Sequence, residues 1–113
     1  MCIVFFLAVV ATFTYSTPAQ TARLVDEYGS VVSNLEWQRL DQYFMDLANN
    51  PNALGYVVVF GKNNKDRAAR EQRVRRFTKF RRFDSSRLVF IKEIGRPKTQ
   101  LWLVPPGASF PPT

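Results

Sequence analysis

The sequence contains no histidine. The side chain that titrates nearest neutral pH is therefore missing, and with it the usual general base, the Ser/His and Cys/His dyads, and the commonest metal ligand. Cysteine is almost missing too: Cys2 is the single one, in a segment expected to be removed. No disulfide framework and no cysteine-built zinc site can form. Acids are in deficit, 9 against 16 Lys and Arg, leaving a formal charge of +7. No internal repeat is present. The 113 residues suffice for one domain. What remains is ordinary globular composition, 46% hydrophobic and 14% aromatic. The positive balance suits an anionic partner, whether nucleic acid, acidic lipid or wall polymer, without choosing among them. Acids and tyrosines exist, but no motif pairs them at a useful spacing. The chain is therefore read as non-enzymatic, with no catalytic residue, no metal and no cofactor. Paired-carboxylate chemistry is the one reaction type the residues leave open.

Residues 1–19 read as an export signal. Cys2 to Phe13 is an apolar stretch of about a dozen residues, long enough for a signal core and shorter than the ~20 that span a bilayer. Thr17 and Ala19 stand at the small-residue positions for cleavage before Gln20. No Lys or Arg precedes the apolar run, and no lipobox places a Cys at the cleavage point. An uncleaved apolar helix packed on the domain is the competing reading. Cleavage would leave a cysteine-free product without a membrane-spanning helix, in the periplasm or cell envelope.

The organising stretch is Gly55-Tyr56-Val57-Val58-Val59-Phe60-Gly61, an unbroken apolar run between glycines. Half-buried strands alternate and this one does not, so it predicts a central strand covered on both faces. A first strand is expected within Arg23 to Val32, interrupted near Gly29. Ser33 and Glu36 then have the spacing of a capping box, opening a helix to about Ala48. Trp37, Leu40, Tyr43, Phe44 and Leu47 form its apolar stripe. Asn49-Asn50-Pro51-Asn52 ends it, with Asn suited to a left-handed cap. A second helix is expected from about Asp66, as N-cap or first-turn acid, to about Arg81. Strands from Leu88 to Ile94 and from Thr99 to Val104 complete the domain, residues 20–104. Residues 105–113 are a Pro-rich tail, expected to be extended or disordered. The order β-α-β-α-β-β implies right-handed crossovers and a largely parallel sheet. The short Gly95 to Lys98 link reverses the last strand relative to its predecessor. The fold class is α/β: a two-layer sandwich, a mixed sheet with two helices on one face.

The excess charge is concentrated in one element. Lys62 to Arg87 holds eleven Lys and Arg against three acids, and the rest of the chain is close to neutral. On a helical wheel Ala69, Val74, Phe77 and Phe80 form the apolar arc. Arg75, Arg76, Lys79 and Arg82 point away from it, as a solvated face or an anion-binding stripe. The aromatics are spaced as core rather than as a stacking platform. Arg70 and Arg73 fall within or beside the apolar arc. An arginine there must snorkel or find a carboxylate, since an unpaired buried charge costs several kcal/mol. Its partner would be Asp66 or an acid of the first strand, or the arginine would recognise an anion. The loop after the central strand lies where ligands of open α/β sheets bind, outside the carboxyl ends of the strands.

Several stretches resemble the OmpA-like domain, the peptidoglycan-associating module of bacterial envelopes. These are Leu40 to Leu47, Val57 to Gly61, the Arg-bearing helix and Asp84 to Leu88, within a similarity covering roughly Leu24 to Val104. The chain also looks like small exported bacterial proteins without assigned function, which share the Gly-Tyr-x-x-x-x-Gly strand and the Leu-Trp-x-Val-Pro-Pro-Gly-Ala ending. In OmpA-like domains an Asp after the central strand and an Arg in the following helix grip the diaminopimelate of the wall peptide. The resemblance puts Arg73 in the Arg role, with Arg70 as the alternative register. Asn64 stands at the Asp position, and Asp66 lies close by in the helix start. The loop is several residues shorter than the family pattern. The resemblance implies a non-catalytic envelope module that binds peptidoglycan or another envelope component. The alternative is an electrostatic binder of anionic polymer, lipid or nucleic acid through the basic helix. An export signal argues against nucleic acid.

Overall fold

The computed structural model describes residues 20–112. The segment read as an export signal lies outside the described residues. The chain forms four strands, β1 (Arg23–Tyr28), β2 (Leu54–Gly61), β3 (Leu88–Ile94) and β4 (Lys98–Val104). Two helices, α1 (Ser33–Ala48) and α2 (Asn64–Phe80), complete the expected β-α-β-α-β-β order. The fold is α/β, a mixed four-stranded sheet under a layer of two helices.

The sheet order is β1-β4-β2-β3. β2 pairs with β3 in parallel, and β4 pairs antiparallel with both β1 and β2. Hence β1, β2 and β3 run one way and β4 runs back between β1 and β2. β4 does oppose its predecessor, but the two are not neighbours. The link after β3 crosses the end of β2, where the Gly95 N–H donates to Gly61 O (3.2 Å). Only one of the three pairings is parallel, so the sheet is less parallel than strand–helix alternation suggests.

The central run is β2, and its alternate residues divide the molecule. Val57 and Val59 are buried in the core with Leu40, Tyr43 and Leu47 of α1 and Val74 and Phe77 of α2. Gly55 and Gly61 share that face and let both helices close in. A Cβ at Gly55 would sit 2.8 Å from Leu47 and 2.9 Å from Leu88, and one at Gly61 would sit 3.0 Å from the Arg67 backbone. Both helices therefore lie on one face. The other face carries Tyr56, Val58 and Phe60. Its cover is not a helix but the tail: Phe110 packs on Tyr56 (4.7 Å between ring centroids) and edge-on against Trp102 (5.3 Å). The expectation of an extended or disordered tail is corrected for residues 105–112. Its single aromatic has a half-covered aromatic pair to dock on, and a turn at Pro105–Ala108 directs it there.

Both helix starts differ from expectation. Ser33 opens α1 as a helical residue; the residue before it, Val32, takes the cap position without a side-chain bond. No capping box forms, because Glu36 turns inward and is buried. Trp37, placed in the apolar stripe by periodicity, is 45% exposed at its rim. Asn49 ends α1 in the right-handed region rather than the left-handed one. α2 begins two residues before Asp66. Asn63 caps it by accepting from the Asp66 N–H (2.9 Å), which leaves Asp66 as a first-turn acid.

Candidate functional site

The carboxyl ends of β1, β2 and β3 and the start of β4 meet at one edge of the sheet, and α2 begins beneath that edge. Thr99 of β4 sits in register between Tyr28 and Val59, and it is fully buried. Three arginines of α2 face this region in three different ways.

Arg67, which periodicity did not single out, is buried. Its Nη1 donates to Gly61 O (3.0 Å) and its Nη2 to Asn64 Oδ1. Arg70 is only 5% exposed and, among the described residues, has no carboxylate partner within ion-pair distance. It donates to Gly29 O (3.4 Å), Thr99 Oγ1 (3.3 Å) and Ser30 Oγ (3.3 Å). Burial lowers its pKa from the ordinary guanidinium value, and the nearby charge of Arg73 adds to that. Arg73 is half-exposed, and its Nε donates to Glu36 Oε1 (3.2 Å). The partner is thus neither Asp66 nor an acid of β1, but the glutamate expected to cap α1. Tyr28 Oη lies buried in the same cluster without a well-formed hydrogen bond among the described residues. Burial first, and Glu36 second, raise its pKa far above the ordinary phenol value.

The four residues proposed for ligand binding are therefore not gathered into one open pocket. Asn64 is engaged by Arg67, Arg70 is sealed against strand ends, Asp66 stands in the first turn of α2, and Arg73 holds Glu36. Among the described residues no three metal-ligating side chains cluster together.

The outer face of α2 is different. Two of its cations are occupied. Arg75 pairs with Glu71 (3.4 Å) and lies over Phe90 (4.0 Å), so it is not the free cation the wheel made it. Arg81 makes a two-point contact with Asp41 (3.0 Å each) and lies over Phe77 and Phe80. Arg76, Lys79 and Arg82 have no acidic partner among the described residues. Arg82 follows the helix in the left-handed region at φ 55°. The Phe83 N–H donates to Thr78 O and the Arg82 N–H to Lys79 O (3.1 Å each), closing the helix end in the manner usually reserved for glycine.

Beside these cations runs a groove of about 500 Å³ between the helices, lined by Glu36 and Trp37 of α1 and by Arg73, Arg76, Phe77, Lys79 and Phe80 of α2. Trp37 stacks on Phe77 (5.5 Å) and Phe80 (5.9 Å). Phe80, assigned to the apolar arc, is 66% exposed, and Ala69 is exposed as well. The wheel fails because Arg67 and Arg70 take the inward positions and rotate the buried stripe to Arg67, Arg70, Val74, Phe77 and Thr78. The aromatics are thus core at Phe77 but surface at Trp37 and Phe80. No sequence signal distinguished them, since all three fit helical periodicity equally well.

No family model matches this chain, and neither the curated proteins nor the solved structures give a significant match to it.

Proposed function

We propose that the protein is a non-catalytic exported module that binds an anionic component of the cell envelope through the outer face of α2. One observation carries this reading: Arg76, Lys79 and Arg82 are clustered at the end of the most basic element, where none has an acidic partner among the described residues. Their neighbours Arg75 and Arg81 do have one, in Glu71 and Asp41. The absence of histidine and the lack of any paired catalytic motif support a binding role over an enzymatic one. The apolar stretch before Gln20 supports export.

Purified peptidoglycan sacculi and anionic vesicles are the two probes, each titrated with salt. Retention should fall steadily as salt rises. Reversing all three charges, Arg76→Glu with Lys79→Glu and Arg82→Glu, should weaken it on the order of 100-fold or more, at ~1 kcal/mol per cation near an anionic surface. Binding to either probe that ignores both salt and the triple change would sink the reading.

A narrower reading gives Arg73 the wall-peptide carboxylate, by resemblance to the OmpA-like domain. Its support is position: Arg73 lines an open groove between the two helices. Against it, Arg73 Nε already holds Glu36, and Asn64 is held by Arg67. Equal retention of wild type and Arg73→Ala on sacculi would exclude it.

A further inference from the structure

We infer that the anionic component is a lipid surface, and that Trp37 and Phe80 insert into it while Arg76 and Lys79 meet its headgroups. This deepens the reading just given and rests on it.

The argument starts from exposure. Phe80 is 66% exposed and Trp37 is 45% exposed, side by side at the mouth of the groove. Large aromatics left in water at one place need a reason, because each loses roughly 25 cal/mol per Å² of apolar area it fails to bury. Helix geometry then supplies the cations. Arg76 and Phe80 lie at i and i+4 on α2, one above the other, with Lys79 on their flank. An aromatic pair bordered by long cationic side chains is the arrangement an anionic bilayer surface recognises. Aromatic bodies enter the headgroup–acyl boundary, and Lys and Arg stems extend outward to phosphate.

Local acids do not oppose this. Glu36 is held by Arg73, and Asp41 by Arg81. Single-stranded nucleic acid needs rings set apart to take successive bases. Here Trp37, Phe77 and Phe80 pack on one another and the Arg81 guanidinium lies over Phe80, one cluster rather than a row of platforms. Among the described residues no helix is long and apolar enough to cross a membrane.

The chain has two tryptophans, and Trp102 lies partly covered by Phe110 on the opposite face of the sheet. In a Trp102→Phe background, tryptophan emission reports on Trp37 alone. Mixed vesicles of phosphatidylglycerol and phosphatidylcholine should shift that emission to the blue. Brominated acyl chains should quench it, and phosphatidylcholine vesicles alone should do neither. Phe80→Ser, compared with wild type at a temperature where melting curves show both fully folded, should weaken partitioning about tenfold. Lys79→Gln should weaken it about fivefold. Vesicle binding without an emission change, or unaltered by Phe80→Ser, overturns the inference. So does tighter binding to a single-stranded oligonucleotide than to vesicles. Salt-sensitive retention on sacculi with no vesicle binding overturns the inference but leaves the broader function standing. Absence of binding to both removes the two together.

Discussion

Arg82 holds a backbone conformation that glycine would hold at little cost. With φ at 55°, its Cβ crowds the neighbouring carbonyl, a penalty of roughly 1–2 kcal/mol for an L-residue. Arg82→Gly relieves that strain, partly offset by the greater freedom of glycine in the unfolded chain. The net expectation is stabilisation by about 0.5–1 kcal/mol, read as a higher midpoint in urea. The same change should weaken anion binding, because it removes one of the three clustered cations proposed to make it. A variant that is more stable and binds as well as wild type would show that Arg82 has no part in binding. Gly55 predicts the opposite sign. A methyl group there would sit within 2.9 Å of both Leu47 and Leu88, with the Tyr43 hydroxyl closer still. That hydroxyl is fixed by its hydrogen bond to Trp102 O (2.6 Å) and cannot retreat freely. Gly55→Ala should destabilise by about 1–3 kcal/mol, the usual cost of overpacking, measured by thermal or urea melts.

At the scale of elements, α2 is where sequence and structure part. Its existence was legible from charge density and length, and β2 was legible from an apolar run too short and too β-branched for a helix. The inward face of α2 was not. Val74 and Phe77 alone cannot fill that face, and a wheel weighted by hydropathy recruits Ala69 and Phe80, which the structure exposes. Arg67 and Arg70 occupy the interior because strand-end acceptors, Gly61 O, Gly29 O and Thr99 Oγ1, satisfy their guanidinium groups. Gly29 and Thr99 are distant in sequence from Arg70, and Gly61, six residues before Arg67, presents its carbonyl only because the chain turns from β2 into α2, so no periodic pattern announces them. The insertion of β4 between β1 and β2 was hidden for a related reason: the link Gly95–Pro97 reaches either side of β2. Glu36 joins the two helices. If its bond to Arg73 orders α1 against α2, a double-mutant cycle with Glu36→Gln and Arg73→Gln should give a coupling energy of about 1 kcal/mol, since Arg73 is half-exposed and its charge is screened. Arg73→Gln alone should cost more than that, because it strands a buried carboxylate. A coupling indistinguishable from zero would mean the pair is incidental.

For the whole molecule, the missing histidine becomes a statement about pH. Among the described side chains, none has an ordinary pKa between the carboxylates and the tyrosines. Stability should therefore be nearly flat from about pH 6 to 9. On the alkaline side two groups control it. Tyr28 and Tyr43 are buried, and desolvation, the largest cause for each, raises both pKa values far above the ordinary 10.0. Below pH 10 both states carry neutral phenols and nothing is gained or lost. Above pH 10 the unfolded chain releases protons that the folded chain retains, so stability falls by about 1.4 kcal/mol per pH unit for each tyrosine. Urea midpoints collected from pH 7 to 12 should trace a plateau followed by that decline. The two tyrosines separate by substitution. Tyr28→Phe removes a buried hydroxyl with no well-formed hydrogen bond among the described residues, so it should leave stability at pH 7 unchanged or slightly higher and reduce the alkaline slope. Tyr43→Phe removes the hydrogen bond to Trp102 O, so it should reduce the slope and cost about 1 kcal/mol at pH 7. An alkaline limb identical in wild type and both variants would place the titrating groups elsewhere. It would also mean that these phenols reach water before the fold opens.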